Sequence, residues 1–124
     1  GFVGTGAALA IAGIAIEGEQ PRRFLIRAAG PALRAFGVED ALADPVLQLT
    51  SATGQTLFLN DDWGAAATAP ELAATATRLG AFALAAGSAD AALLVTLLPG
   101  NYTTLVSGKG ESSGTALIEV YEVP

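Results

Sequence analysis

The stretch Asn60-Asp61-Asp62-Trp63-Gly64 places an amide, two carboxylates and the chain's one tryptophan directly behind the apolar run Gln55 to Leu59. A loop this rich in side-chain oxygen can hold a hard cation, supply an acid and a base, or turn the chain by bonding its own backbone. In extended chain Asn60 and Asp62 project to one side and Asp61 to the other, so the adjacent carboxylates cannot work as a pair. A carboxylate glycosidase would need two acids facing one cleft about 5 to 10 Å apart, and no spacing in the chain supplies them. Calcium needs roughly six to eight oxygens, which a loop can collect from carboxylates, amides and carbonyls. Asn60, Asp61 and Asp62 are therefore candidate calcium ligands, with Asp44, Asp90 or Glu17 as outside contributors, although the spacing matches no EF-hand. The structural alternative is that Asn60 and Asp61 bond the backbone while Trp63 plugs one end of the fold.

The missing residue types narrow the chemistry further. Among 124 residues there is no histidine and no cysteine, which removes Ser-His and Cys-His dyads, thiolate nucleophiles, Cys-based zinc sites and disulfides. The net charge of −6, with Arg22, Arg23, Arg27, Arg34, Arg78 and Lys109 as the only cations, has the wrong sign for neutralising phosphates, so nucleic acid is excluded as a partner. Hydrophobic residues make up 52% of the chain, yet the longest candidate run, residues 4–16, stops at Glu17 after about a dozen residues, too short for a membrane-spanning helix. No membrane insertion is expected. The chain contains no methionine and starts at Gly1, which reads as a mature or excised piece of a longer protein.

Three other groups invite a functional reading. Arg23 and Arg27 flank Leu25 on one strand face and could grip a carboxylate or sugar; the alternative, which we favour, is that they pair with strand-borne acids such as Glu119, or with Asp44. Trp63, Tyr102 and Tyr121 could form a sugar-stacking platform, but scattered aromatics more often pack a core. Gly1 to Gly6 superficially resembles a phosphate loop, without the preceding strand and following helix that a dinucleotide site requires.

The elements that must position these groups are almost all strands. Residues 6–17 form a long strand with Leu9, Ile11 and Ala15 on one face and Ala10, Ala12, Ile14 and Ile16 on the other, Gly13 marking a bulge. Residues 22–29 form a second, in which Phe24 and Ile26 share a face opposite Arg23, Leu25 and Arg27. A helical turn begins near Pro31, and residues 37–45 return to an extended run. Residues 45–60 form a hairpin around Gly54. Residues 65–86 read as a loop with one helical turn from Pro70. Residues 90–108 form a second hairpin, with Leu93, Val95 and Leu97 facing Tyr102, Thr104 and Val106 across Pro99-Gly100-Asn101. A final strand spans residues 115–123, with Ala116, Ile118 and Val120 on one face and Leu117, Glu119 and Tyr121 on the other. Seven to nine strands with at most one or two short helical turns specify an all-β, antiparallel, jelly-roll-like β-sandwich forming one domain over residues 1–124. Residues 7–16 and 93–98 are apolar on both faces, whereas sandwich strands normally alternate. Such strands are buried on both sides within the domain or covered by another copy of the molecule.

The motif order "GFVGTG", "RRFLIRAAGPALRAFGV", "LADPVLQLTSATGQTLFLNDDW", "LLPGNYTTLVSG" and "GTALIEVYEV" resembles a tandem β-sandwich repeat module of large secreted or cell-surface bacterial proteins. The second half is also similar to the bacterial pre-peptidase C-terminal domain. The first resemblance implies a non-catalytic extracellular module, and the second a targeting or binding domain that in some members uses calcium. The expected function is a structural and interaction module that self-associates into a fibre, surface layer or tandem array, with copies of itself as partners and no required cofactor. The alternative is a calcium-dependent module that binds a glycan or targets a secreted enzyme.

Overall fold

The computed structural model describes residues 2–3, 10–65 and 68–124. Among these residues the strands are β1 (Phe2–Val3), β2 (Ala10–Ile16), β3 (Arg22–Ala29), β4 (Pro45–Ser51), β5 (Thr56–Asn60), β6 (Ala91–Leu97), β7 (Gly100–Gly108), β8 (Gly114–Thr115) and β9 (Leu117–Val123). They make a four-stranded sheet in the order β2-β7-β4-β5, a three-stranded sheet in the order β6-β3-β9, and a short ribbon of β1 with β8. Every ladder between these strands is antiparallel. The architecture is the expected all-β sandwich.

Alternation explains which faces meet. Ala10, Ile14 and Ile16 of β2, Leu47 and Leu49 of β4 and Val106 of β7 point from one sheet towards Phe24, Ile26 and Ala28 of β3 and Ala91, Val95 and Leu97 of β6 in the other. Side chains two residues apart share a sheet face, so each strand contributes its apolar set to one interior. The opposite face of β3 and β6 is covered by the helix α1 (Ala69–Leu79), whose Leu72 and Ala76 pack with Leu25, Ala92 and Val123. Leu72, Thr75, Ala76 and Leu79 follow helical spacing, Glu71 lies in the first turn and Arg78 in the last, and Gly80 closes the helix with φ +77°. That charge order complements the helix dipole.

The hairpin of β4 and β5 forms as expected. Gly54 sits at φ +86° in its turn, where its amide donates to the Ser51 carbonyl at 3.0 Å and a side chain would be strained. The anticipated second hairpin does not form. β6 pairs with β3, and β7 pairs with β2 and β4, so Leu98-Pro99-Gly100 carries the chain from one sheet to the other. Leu93, Val95 and Leu97 do face Tyr102 and Val106, but through the sandwich interior and not along a ladder. Side-chain alternation is the same in both arrangements, and proline, which lacks an N–H, fits a corner as well as a turn.

Two more expectations change. α1 has 11 residues in place of a single helical turn, because its apolar stripe finds the outer face of the three-stranded sheet. Residues 37–44 form turns with an isolated bridge from Ala41 to Thr115 instead of an extended run. The helical turn at Pro31 is a 3-10 segment, Pro31–Phe36. The start of the first expected strand, including Leu9, and most of the Gly1 to Gly6 motif lie outside the described residues.

Candidate functional site

The Asn60 to Trp63 loop leaves the end of β5 and is tied down on three sides. The Asn60 Oδ1 accepts from the Ala92 amide at 3.1 Å, and its Nδ2 donates to the Asp62 carbonyl at 3.3 Å. The Trp63 amide donates to the Asp90 carbonyl at 2.9 Å, and its indole Nε1 to the Ala85 carbonyl at 3.1 Å. Lys109 Nζ donates to Asp61 Oδ2 at 2.7 Å. Asn60 and Trp63 therefore fasten the loop to the start of β6 and the chain before it. Asn60 bonds the backbone as the turn-forming alternative expected, whereas Asp61 bonds the Lys109 side chain instead.

Of the three outside carboxylates, only Asp44 is brought into the electrostatic field of Asp61 and Asp62. Asp90 is buried and spent elsewhere: its Oδ1 accepts from the amides of Gly30 at 2.7 Å and Ala32 at 3.1 Å, and its Oδ2 from Ser88 at 2.7 Å. Gly30 is needed at that approach, since a Cβ there would collide with the Leu42 carbonyl oxygen. Glu17 stands beyond β2, at the other edge of the four-stranded sheet from β5.

Burial pushes the Asp44 carboxyl above its usual value, with the negative Asp62 next in effect, and its Oδ1 is buried without a hydrogen-bond partner. The hydrogen bond from Lys109 holds Asp61 below its usual value, and the same bond raises Lys109. Among the described residues, no group of three or more acidic side chains is arranged to hold a metal ion. Val46, Leu59, Asn60, Asp61, Asp62, Ala65 and Lys109 line an open depression of about 500 Å³ at this loop. Lys109 was not anticipated as a partner of Asp61, because 48 residues separate them.

Both strand arginines form ion pairs, Arg27 with the strand-borne Glu119 as favoured above and Arg23 with an acid on the helix instead. Arg27 is 1% exposed and stands directly opposite Glu119 in the ladder of β3 with β9. Its Nε and Nη2 donate to Glu119 Oε1 at 3.1 and 2.8 Å, and its Nη1 to the Phe82 carbonyl at 2.6 Å. The guanidinium lies 4.4 Å from the Phe82 ring centre, a cation-π distance. Tyr121 donates to Glu119 Oε2, and that bond raises the phenol above its usual value. Arg23 pairs with Glu71 of α1, fastening helix to sheet. Neither arginine is left to grip a ligand.

The aromatic residues are divided between layers. Tyr102 packs against the interior between the sheets, while Trp63 and Tyr121 pack beneath α1. The pocket under α1, lined in part by Leu25, Arg27, Trp63 and Leu72, holds about 80 Å³, well below the roughly 300 Å³ at which ligand pockets begin.

The two outer strands of the four-stranded sheet expose apolar side chains. Among the described residues β5 has a strand neighbour on one side only, as does β2 at the opposite edge. Leu57, Phe58 and Leu59 are all exposed, Leu59 by 62%, and Ile11 of β2 by 63%. Neither strand contains a charged residue or a proline, the devices by which edge strands are normally blunted.

No protein-family model, curated protein or solved structure matches the chain.

Proposed function

We propose that the chain is a non-catalytic, extracellular structural module that associates with copies of itself into a fibre, surface layer or array. The observation that carries this reading is β5: an uncharged edge strand with three consecutive large apolar residues exposed. Such a strand offers both unpaired backbone groups and apolar surface to a further strand. The lack of histidine and cysteine and the engagement of both strand arginines in ion pairs support a role without catalysis. The secreted location is drawn from the resemblance to bacterial surface repeats, and among the described residues no helix is long and apolar enough to cross a membrane.

Sedimentation velocity over a wide concentration range tests the reading. Self-association predicts a boundary that quickens and broadens with concentration, and Leu59→Lys should restore a slow, sharp one. A concentration-independent monomer boundary for the unmodified chain would remove the proposal.

A second reading, a calcium-dependent glycan-binding or targeting module, draws on the crowding of Asp44 with Asp61 and Asp62 and on the depression beside them. Its consequence is linkage: ligand that binds only the folded state raises the melting temperature. Calcium at 100 times its Kd should add about 2.7 kcal/mol. Coincident melts with calcium and with chelator would sink this alternative.

A further inference from the structure

Among the described residues the four-stranded sheet ends in β2 and β5, and the geometry of these two edges is matched. From β2 through β7 and β4 to β5 each ladder is antiparallel, so with four strands the outermost two run in opposite directions. A second copy placed beside the first in the same orientation, following the sheet twist, therefore sets its β2 antiparallel to the first copy's β5. The three-stranded sheet behaves differently: β6 and β9 both run opposite to β3 and hence parallel to each other.

The register agrees as well. Ile11 is level with Leu105, Leu105 with Gln48 and Gln48 with Leu59, which makes one row across the sheet. The rows on either side run from Ala10 through Val106 and Leu47 to Asn60, and from Ala12 through Thr104 and Leu49 to Phe58. In an antiparallel sheet successive rungs of a row alternate between hydrogen-bonded and non-bonded pairs, because each residue's N–H and C=O face the same neighbour. Three rungs separate Ile11 from Leu59, so the first and last are of the same kind. A fourth rung, from Leu59 to Ile11 of the next copy, continues the alternation without a slip. It also joins the two apolar side chains at the exposed ends of that row.

We infer that copies of this chain add head to tail, β5 of one to β2 of the next with Leu59 opposite Ile11, extending the four-stranded sheet into an open-ended fibre. The inference rests on the self-association reading and specifies its contact. One repeated contact covers both edges, whereas two-fold pairing would need two different interfaces, β5 with β5 and β2 with β2, to cover the same strands. A head-to-tail contact leaves one unused edge at each end of every oligomer, so it propagates into a fibre when the rotation between copies does not close a ring.

The absence of native cysteine permits a direct test. Residues opposite one another in an antiparallel pair lie about 4.5 to 5.5 Å apart at Cα, within disulfide reach. Both positions are solvent-exposed, so Leu59→Cys and Ile11→Cys should fold. Under mild oxidation an equimolar mixture of the two single variants should give a mixed covalent dimer as its main product. The double variant should give a ladder of covalent oligomers, and each single variant alone should remain monomeric on a non-reducing gel. Dimer from Leu59→Cys alone, without the mixed species, would overturn head-to-tail addition in favour of a two-fold contact. Association seen by sedimentation with no disulfide product at all would overturn the edge contact while leaving self-association standing. A purely monomeric boundary would remove both.

Discussion

Asp44 and Asp61 sit close in charge and differ in what neutral pH does to them. Asp44 is pushed up by burial and then by Asp62, so the folded chain holds that proton more tightly than the unfolded chain does. Its ionised form therefore costs stability near neutral pH, and the cost fades as pH falls through the raised folded value. Asp61 has the opposite sign: the Lys109 hydrogen bond lowers it, so its contribution is present above the unfolded value and lost as pH falls through the depressed folded one. Asp44→Asn is expected to raise the melting temperature at pH 7 by about 2 to 4 °C, with the difference from the unmodified chain shrinking towards pH 3. Calorimetry across that range checks the sign, and a gap independent of pH would show that Asp44 is not the strained carboxyl. Asp62 and Lys109 both act on Asp44, so the comparison is made with each of them unaltered.

At the scale of elements, the unexpected feature is α1, which turns a two-layer sandwich into a three-layer one on one side. β6 is apolar on both faces because Leu93, Val95 and Leu97 face the sandwich while Ala92 and Leu94 lie beneath the helix. Its two-faced character is thus accounted for within the chain. The outward side chains of β2, Ile11 above all, have no such cover among the described residues. Leu72 is 2% exposed at the centre of the helix contact, and its truncation to alanine should cost about 2 to 4 kcal/mol by removing burial and leaving a cavity. Urea denaturation should show a lower midpoint with an unchanged slope. A loss below about 1 kcal/mol would mean that the helix contributes little to global stability, since surface changes commonly fall within that range.

For the whole molecule, the two classes of interaction respond differently to salt. The pairs Arg22 with Glu122 and Lys109 with Asp61 are exposed, contribute little and are screened. The pair of Arg27 with Glu119 is enclosed between sheet and loop and is screened much less. Contacts through Leu57, Phe58, Leu59 and Ile11 are apolar, so assembly seen by sedimentation should persist at high salt. Assembly that disappears at high salt would assign the contact to charges instead. The net charge of −6 works in the same direction, because copies of like charge repel less when screened.

Local alternation in the sequence was enough to determine the all-β class, the interior face of β3 with Phe24 and Ile26, and the hairpin around Gly54. Each depends on a period of two residues or on a turn requirement carried by neighbouring residues. Only the tertiary structure decided that β6 and β7 belong to different sheets, that α1 extends to three turns, that Arg27 meets Glu119, that Lys109 meets Asp61 and that β2 and β5 are the outer strands of the four-stranded sheet. Those outcomes depend on which strands pair across long stretches of chain. The alternation that buries a side chain is identical whether its strand turns back within one sheet or crosses to the other.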